Sequence, residues 1–380
     1  MKTVTLQSKS IKKIIYKIDT VLKDGFTPSV AFIYSASTFN ILKLSQKLGK
    51  YTFPIMGATT DGEIYANKED GINEVDGHII CMLIDTNRAS IEMTFIETDE
   101  NQDAFNIGEH IGMWAKSSFN SCSIITLTSG LSFDNDAYVQ GILSRDIDYV
   151  FGGVSGDGLL LEETFVFSNN IISNRGVVAL ALDKTKIDIL GSRAFGWGGI
   201  GKERIVTKAS KNVVYEIDGQ PAVDFYKNYL DITSDDMPRV GIEYPLEVRL
   251  RNRQIVYRAV LDIDEEHGSL VFAGHVEEKA WIRISAPRGK SIISEVEKSV
   301  SKVLSDNPTF KPELALLFPC CSRKQVLGHL TKLEIEAVYK ESQVPMIGFF
   351  AYGEIGAFPG GYCFHNETFV TAFLREKAES

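Results

Sequence analysis

Residues 54–64 read PIMGATTDGEI, and residues 345–355 read PMIGFFAYGEI. Both run Pro-x-x-Gly, four more residues, then Gly-Glu-Ile. The flanks extend the likeness. PSVAFIYSAS from Pro28 and PELALLFPCCS from Pro312 are short apolar strands. A helical stretch follows each, the first through Ile41, Leu44 and Leu48 with Gly49 as a stop, the second through Leu330, Leu333, Ala337 and Val338. A looser third copy lies between them: strand CSIITLTSG, helix DAYVQGILSRD and turn VFGGVSGDG, where Gly153 and Gly158 stand five apart like Gly57 and Gly62. A strand–helix–strand crossover lays two strands parallel and adjacent, so three related units are expected.

After each turn comes a run that is apolar at successive positions: GHIICMLIDT, GVVALALD and ETFVTAFL. Such strands are buried on both faces. Helices cover one face and a second sheet is the natural cover for the other. The expectation is an α/β protein with mixed sheets in a layered α-β-β-α arrangement. Between Leu246 and Ser285 the texture changes to short strands with polar turns, an antiparallel meander. A division near EIDGQPAVDFYKNYL, with Pro221 in the first turn of a helix, gives modules 1–218 and 219–380.

The bulk numbers exclude several classes. With 380 residues, 44% hydrophobic and 24% charged, the chain is globular; its net charge of −10 argues against nucleic acid or an anionic membrane as partner. No apolar run approaches the ~20 residues of a spanning helix. The N-terminal Ile11, Ile14, Ile15, Ile18 and Val21 have helical spacing, unlike a signal peptide, so a cytoplasmic protein is expected. Five scattered cysteines make no C-x-x-C pair, and no metal is expected.

Ligands of open mixed sheets bind beyond the carboxyl ends of strands. The candidate ligand residues therefore lie in the repeated turns: Gly57, Thr59, Thr60, Asp61, Gly62 and Glu63; Gly153 and Asp157; Tyr352, Gly353 and Glu354. Cys320 and Arg323 stand at a neighbouring strand tip, and His365 and Asn366 follow the last turn. A carboxylate can hold an ammonium, and the Arg323 fork can hold a carboxylate. On this reading Glu63 and Glu354 share a cleft with Arg323. The bland alternative is that Gly-Glu-Ile closes a turn, its glutamate capping backbone N–H groups.

Two motifs are decoys. Residues 196–201, GWGGIG, fit G-x-G-x-x-G, but strand-like KERIVTKAS follows where a dinucleotide fingerprint needs a helix. In Gly153-Val154-Ser155-Gly156-Asp157 an aspartate replaces the second glycine of a nucleophile elbow. Cys320 and Cys321, as strand neighbours, should point to opposite faces, and histidines 78, 110, 267, 275 and 329 read as structural or solvated.

PIMGATTDGEI, YVFGGVSGDG, VTKASKNVVYEIDGQPAVDFY, Cys320-x-x-Arg323, PMIGFFAYGEI and FHNET, in this order, resemble the FIST proteins. The likeness runs from Ser29 to Leu374. One departure is Val276-Glu277-Glu278-Lys279, which lacks an expected turn glycine. The resemblance implies a FIST-N module and a FIST-C module, a sensory role, a small ligand such as an amino acid, and output through a separate partner such as a kinase or cyclase. It also implies an alternative, a haem-binding gas sensor with His365 as iron ligand. An enzyme using paired glutamates is the third class, but no nucleophile–base–orienter set supports it.

Overall fold

The computed structural model describes residues 1–131, 133–357 and 363–378. Among them the chain repeats one element order three times. The first unit is β1 (Lys2–Ser8), α1 (Ile11–Lys23), β2 (Val30–Ala36), α2 (Ile41–Leu48), β3 (Ile55–Thr60), β4 (Glu63–Asn67), β5 (Gly71–Val75) and β6 (Ile79–Asp85). The second is β7 (Ile91–Glu97), α3 (Ala104–Ser118), β8 (Cys122–Thr128), α4 (Asn135–Leu143), β9 (Val150–Val154), β10 (Val166–Phe167), β11 (Ile172–Ser173) and β12 (Gly176–Asp183).

The third unit is interrupted. After β13 (Ile187–Ala194) the chain makes nine strands: β14 (Trp197–Gly199), β15 (Arg204–Ser210), β16 (Val213–Ile217), β17 (Gln220–Pro221), β18 (Leu246–Arg249), β19 (Ile255–Arg258), β20 (Val260–Asp264), β21 (Ser269–Phe272) and β22 (Trp281–Pro287). Helices α5 (Ala222–Leu230) and α6 (Arg239–Glu243) lie within this insertion. The unit then resumes with α7 (Ser291–Asp306), β23 (Leu314–Pro319), α8 (Cys321–Leu327), α9 (Lys332–Ser342), β24 (Met346–Phe349), β25 (Glu354–Ala357), β26 (Phe364–His365) and β27 (Phe369–Glu376).

Three six-stranded sheets result, ordered β1-β6-β2-β3-β10-β11, β7-β12-β8-β9-β25-β26 and β13-β27-β23-β24-β4-β5. Each holds one parallel pair from its own unit, with the apolar return strand antiparallel beside it. Each also receives a strand from another unit. Strand β4 pairs with β24, β25 with β9, and β10 with β3, so every unit gives away the strand that follows its turn. The exchange is cyclic.

Pairing register fixes the equivalences. Ala31 faces Ile55, Ile124 faces Val150 and Ala315 faces Met346, so Gly57, Gly152 and Gly348 correspond. The spacing that pairs Gly153 with Gly57 is one residue out. Adjacent glycines at 152 and 153 hid the slip. At Gly348 a Cβ would stand 2.2 Å from the Leu317 carbonyl oxygen, which explains why that position carries no side chain.

The three sheets turn their inner faces to a common core, where Phe32, Tyr34, Leu127, Phe151, Phe318 and Phe349 meet. Helices cover each outer face: α1 and α2 through Ile14, Ile18 and Leu44, α3 and α4 through Ile111 and Ile142, α7 and α9 through Val296 and Ile335. Each sheet thus lies between a helix layer and the other sheets, as the doubly buried return strands required. With three sheets rather than two, the layers close into a triangular prism.

The inserted strands form their own sheet and core, with Val206, Tyr226, Leu246 and Phe272 inside. Strands β15 and β16 pair with β22 and β21, so this sheet spans the 218/219 division placed from sequence. The GWGGIG stretch contains strand β14, paired with β22, and the next element is strand β15 rather than a helix. In the turn that lacks glycine, Lys279 itself adopts φ 67°.

The strand exchange generates two predictions. Residues 1–218 alone should show no cooperative thermal transition by circular dichroism, because β4 loses β24 and β9 loses β25. Gly348→Ala should lower the stability of the full chain by about 1–3 kcal/mol in chemical denaturation, the usual cost of overpacking.

Candidate functional site

The repeated turns meet at one end of the prism. The Asp61 N–H donates to the Phe350 carbonyl at 3.1 Å, the Gly156 N–H to Thr59 at 3.0 Å and the Tyr352 N–H to Val154 at 3.1 Å. Donors and acceptors occupy equivalent positions in the three units, so the bonds form a ring. Most candidate residues from the first turn are used up here. Thr59 bonds Phe165 through its N–H and hydroxyl, and a Cβ on Gly57 would stand 2.2 Å from the Phe167 ring. Gly62, at φ 121°, leaves room for Lys324, whose Nζ donates to the Asp61 carbonyl at 2.9 Å and pairs with Asp76. Gly153 is packed against Phe318 and Phe349, and Gly353 against Phe364.

The two Gly-Glu-Ile acids are clamps. Glu63 accepts the His78 N–H at 3.0 Å and the Thr60 hydroxyl proton; Glu354 accepts the Thr368 N–H at 2.9 Å. Each thereby ties a departing strand to the start of its own unit's return strand. In the second unit, which has no such glutamate, the Ser129 hydroxyl oxygen accepts the equivalent Gly176 N–H at 2.9 Å. Burial pushes Glu63 up to about 7 and Asp61 to about 7, with Lys324 opposing the rise at both. Burial also raises Glu354 well above the carboxylate range, and Cys320 beside it adds to the shift.

Arg323 is not a free anchor. It is fully buried, its Nε 3.1 and 3.2 Å from the two Glu334 carboxylate oxygens and its Nη2 donating to the same group. Its Nη1 donates to the Glu367 carbonyl at 2.9 Å, and its plane lies over Trp197. Glu334 lies on α9, where no sequence motif marks it. His365 is equally enclosed: Phe195 stands edge-on at 6.0 Å, and Arg193 Nη1 and the Gly356 carbonyl lie 3.3 and 3.4 Å from Nε2. These surroundings do not fit an iron-ligating histidine.

The proposed shared cleft of Glu63, Glu354 and Arg323 is therefore replaced by another space. A cavity of about 480 Å³ lies where the second and third units meet the inserted sheet. Cys320, Tyr352 and Asn366 from the sequence reading line it, together with Cys321, Ser322, Glu367, Asn135 and the inserted sheet's Lys211, Ala259, Leu261 and His275. Asn135 Oδ1 and both amide atoms of Asn366 are buried and left unbonded, while the buried Ser322 hydroxyl and Glu367 carboxyl face each other within bonding reach. Such groups are costly unless something pairs with them. Glu367 also holds φ 63°, and burial pushes it up to about 8, with Ser322 and Arg323 opposing.

Cys320 and Cys321 both line the cavity because Cys320 ends the strand and Cys321 begins α8, so the strand-alternation argument does not apply to them. Burial and the bond to Cys321 raise Cys320 well above an ordinary thiol. No cluster of three metal-ligating side chains occurs among the described residues.

The far wall is clamped to the prism by charge. Asp136 bonds Arg258 Nη2 at 3.3 Å and the His275 N–H at 3.1 Å, while Asp134 Oδ2 lies 3.0 Å from His275 Nε2. His275, read as structural from sequence, thus lines the cavity as well. The Asp157 carboxylate gathers the N–H groups of Leu161, Glu162 and Glu163 at 2.9, 2.7 and 3.0 Å and accepts the Tyr352 hydroxyl proton, ordering the loop at the cavity rim.

Two outcomes are expected. Arg323→Met should cost about 3–5 kcal/mol, because it strands the buried Glu334 carboxylate. Glu63 holds its proton more tightly when folded (about 7) than at its ordinary 4.5. Its neutral form therefore contributes stability that is fully present below pH 4.5 and lost as pH rises through about 7. Denaturation between pH 5 and 8 should show a shallower decline for Glu63→Gln than for the parent, the remainder coming from the other buried acids, Asp61, Glu354 and Glu367.

A model of the FIST N domain matches residues 29–220, and one of the FIST C domain matches residues 222–357. FIST domains are associated with sensory and signalling proteins. An uncharacterized protein of Mycobacterium tuberculosis strain H37Rv is 24% identical over 228 residues, 58% of this chain and 59% of that protein. One from Mycobacterium bovis is 23% identical over 240 residues, 60% of this chain and 61% of its own length. An uncharacterized protein of Methanocaldococcus jannaschii is 22% identical over 357 residues, covering 85% of this chain and 67% of that one. With the two domain models meeting at residues 220 and 222 and spanning most of the sequence, the chain belongs to the FIST family.

Proposed function

We propose that this chain is the ligand-binding part of a sensory system and that its ligand, a small amine such as an amino acid, occupies the 480 Å³ cavity between prism and inserted sheet. The observation that carries this reading is the unbonded, buried amide atoms of Asn135 and Asn366 beside the buried Ser322–Glu367 pair. An apoprotein gains nothing from such groups, whereas a ligand with donors and acceptors would satisfy all of them. The Glu367 carboxyl offers an ammonium partner, and Lys211 at the rim offers a cation to an acidic group. Because the cavity wall is shared between the inserted sheet and the prism, occupancy strengthens one contact between them. A separate signalling protein, of the kinase or cyclase kind, would read that change.

The reading is of binding without catalysis: raised thiols are poor nucleophiles, and the histidine at the wall is engaged by Asp134. A cytoplasmic setting agrees with five free, buried cysteines. The enclosed ring of His365 gives the haem alternative no support.

The test is mass spectrometry of small molecules released from purified protein, followed by melting with and without the released compound. Asn366→Leu should abolish the ligand-induced rise in Tm while leaving the ligand-free Tm equal or higher, since it removes unpaired buried polar atoms. A variant that loses stability equally with and without ligand would place Asn366 in the scaffold instead.

A further inference from the structure

The loop after Asp157 carries three consecutive leucines, and their conformation bears on what the cavity accepts; the argument rests on the cavity being a ligand site. Leu159 and Leu161 hold φ of 60° and 55°, the left-handed region that bulky residues rarely adopt. The loop is kept there by the N–H groups gathered on Asp157 and by the Leu159 N–H, which donates to the Tyr352 hydroxyl at 2.8 Å. Core packing does not explain the strain, because Leu159 and Leu161 are each 37% exposed. Both line the cavity, as do the exposed Leu131 and Leu261. Asn135, Ser322, Asn366 and Glu367 are at most 6% exposed. The cavity is thus graded, with a leucine rim and a polar floor. Strained, solvent-facing leucines at a cavity mouth are pre-organised to be covered.

Charge limits the head group. Glu367, Asp134 and Asp136 stand about the floor, the basic groups near them, His275 and Arg258, are engaged by Asp134 and Asp136, and Lys211 lies exposed at the rim. A buried anionic head would lose its hydration at a floor whose cations are already paired.

We infer that the cavity takes an amphiphile, a hydrogen-bond-donating amine or primary amide seated on Asn366 and Glu367, followed by an unbranched apolar chain that lies against the Leu159–Leu161 rim. The floor supplies the polar contacts and the rim supplies a surface whose affinity grows with chain length.

The experiment is isothermal titration of the full chain with n-alkylamines and n-alkanamides of three to ten carbons, and with alkanoates of matched length. Kd should fall about fourfold for each methylene, equivalent to ~0.8 kcal/mol, and level off once the chain clears the rim. Alkanoates should bind at least roughly tenfold more weakly, as expected of a charge buried without a partner. Leu159→Asn and Leu161→Asn suit the left-handed backbone better than leucine does, so both should fold with unchanged Tm yet flatten the chain-length dependence. Affinity independent of chain length, or alkanoates binding as tightly as amines, overturns the inference. A compound released from the purified protein that none of these chains displaces would overturn the amphiphile class alone and leave the cavity as the ligand site.

Discussion

Three backbone hydrogen bonds around one end of the prism hold the rest in place. Asp61 bonds to Phe350, Gly156 to Thr59 and Tyr352 to Val154, at equivalent points of three units. Each bond joins two units at the point where a strand leaves one sheet for the next. Each of the three sheets then contains a foreign strand, so no unit can complete its sheet alone. The glutamates of the two Gly-Glu-Ile turns serve this exchange by tying each departing strand to its return strand. The repetition of that acid is thus a consequence of topology. The capping alternative accounts for it better than a shared catalytic or ligand cleft.

The inserted sheet changes what such a scaffold can do. A closed prism packs its inner faces into a dry core, leaving little room for a ligand. The insertion between β13 and α7 lays a second surface against the end of the second and third units. Asp134 and Asp136 grip it through His275 and Arg258. The junction leaves a space lined by groups from both parts. The unpaired amide atoms of Asn135 and Asn366 lie there, as does Glu367 with its left-handed backbone. Each ring and clamp residue has its backbone partner, while the cavity holds amide atoms that have none. Stability and recognition therefore occupy adjacent but different residues.

Much of the fold could be read along the chain because it depends on local pattern. The return strands GHIICMLIDT, GVVALALD and ETFVTAFL announce burial on both faces, and α1 announces its apolar stripe at Ile14, Ile15 and Ile18. The site was half legible. Cys320, Tyr352 and Asn366 were found because they sit beside the repeated turn, whereas Glu367 and Ser322 lay inside quoted motifs unremarked. Arg323 was misread because its sequence neighbours give no hint of Glu334, eleven residues on and across a helix turn.

The sequence by itself determined three strand–helix–strand units, doubly buried return strands and an inserted meander, since periodicity and turn chemistry act over a few residues. Only the tertiary structure decided which strand each unit gives away, how three sheets close and where Lys211 and His275 come to rest. Those outcomes depend on pairing between segments one to three hundred residues apart. Hydrogen-bond register and the fit of one core determine them, and neither leaves a local mark.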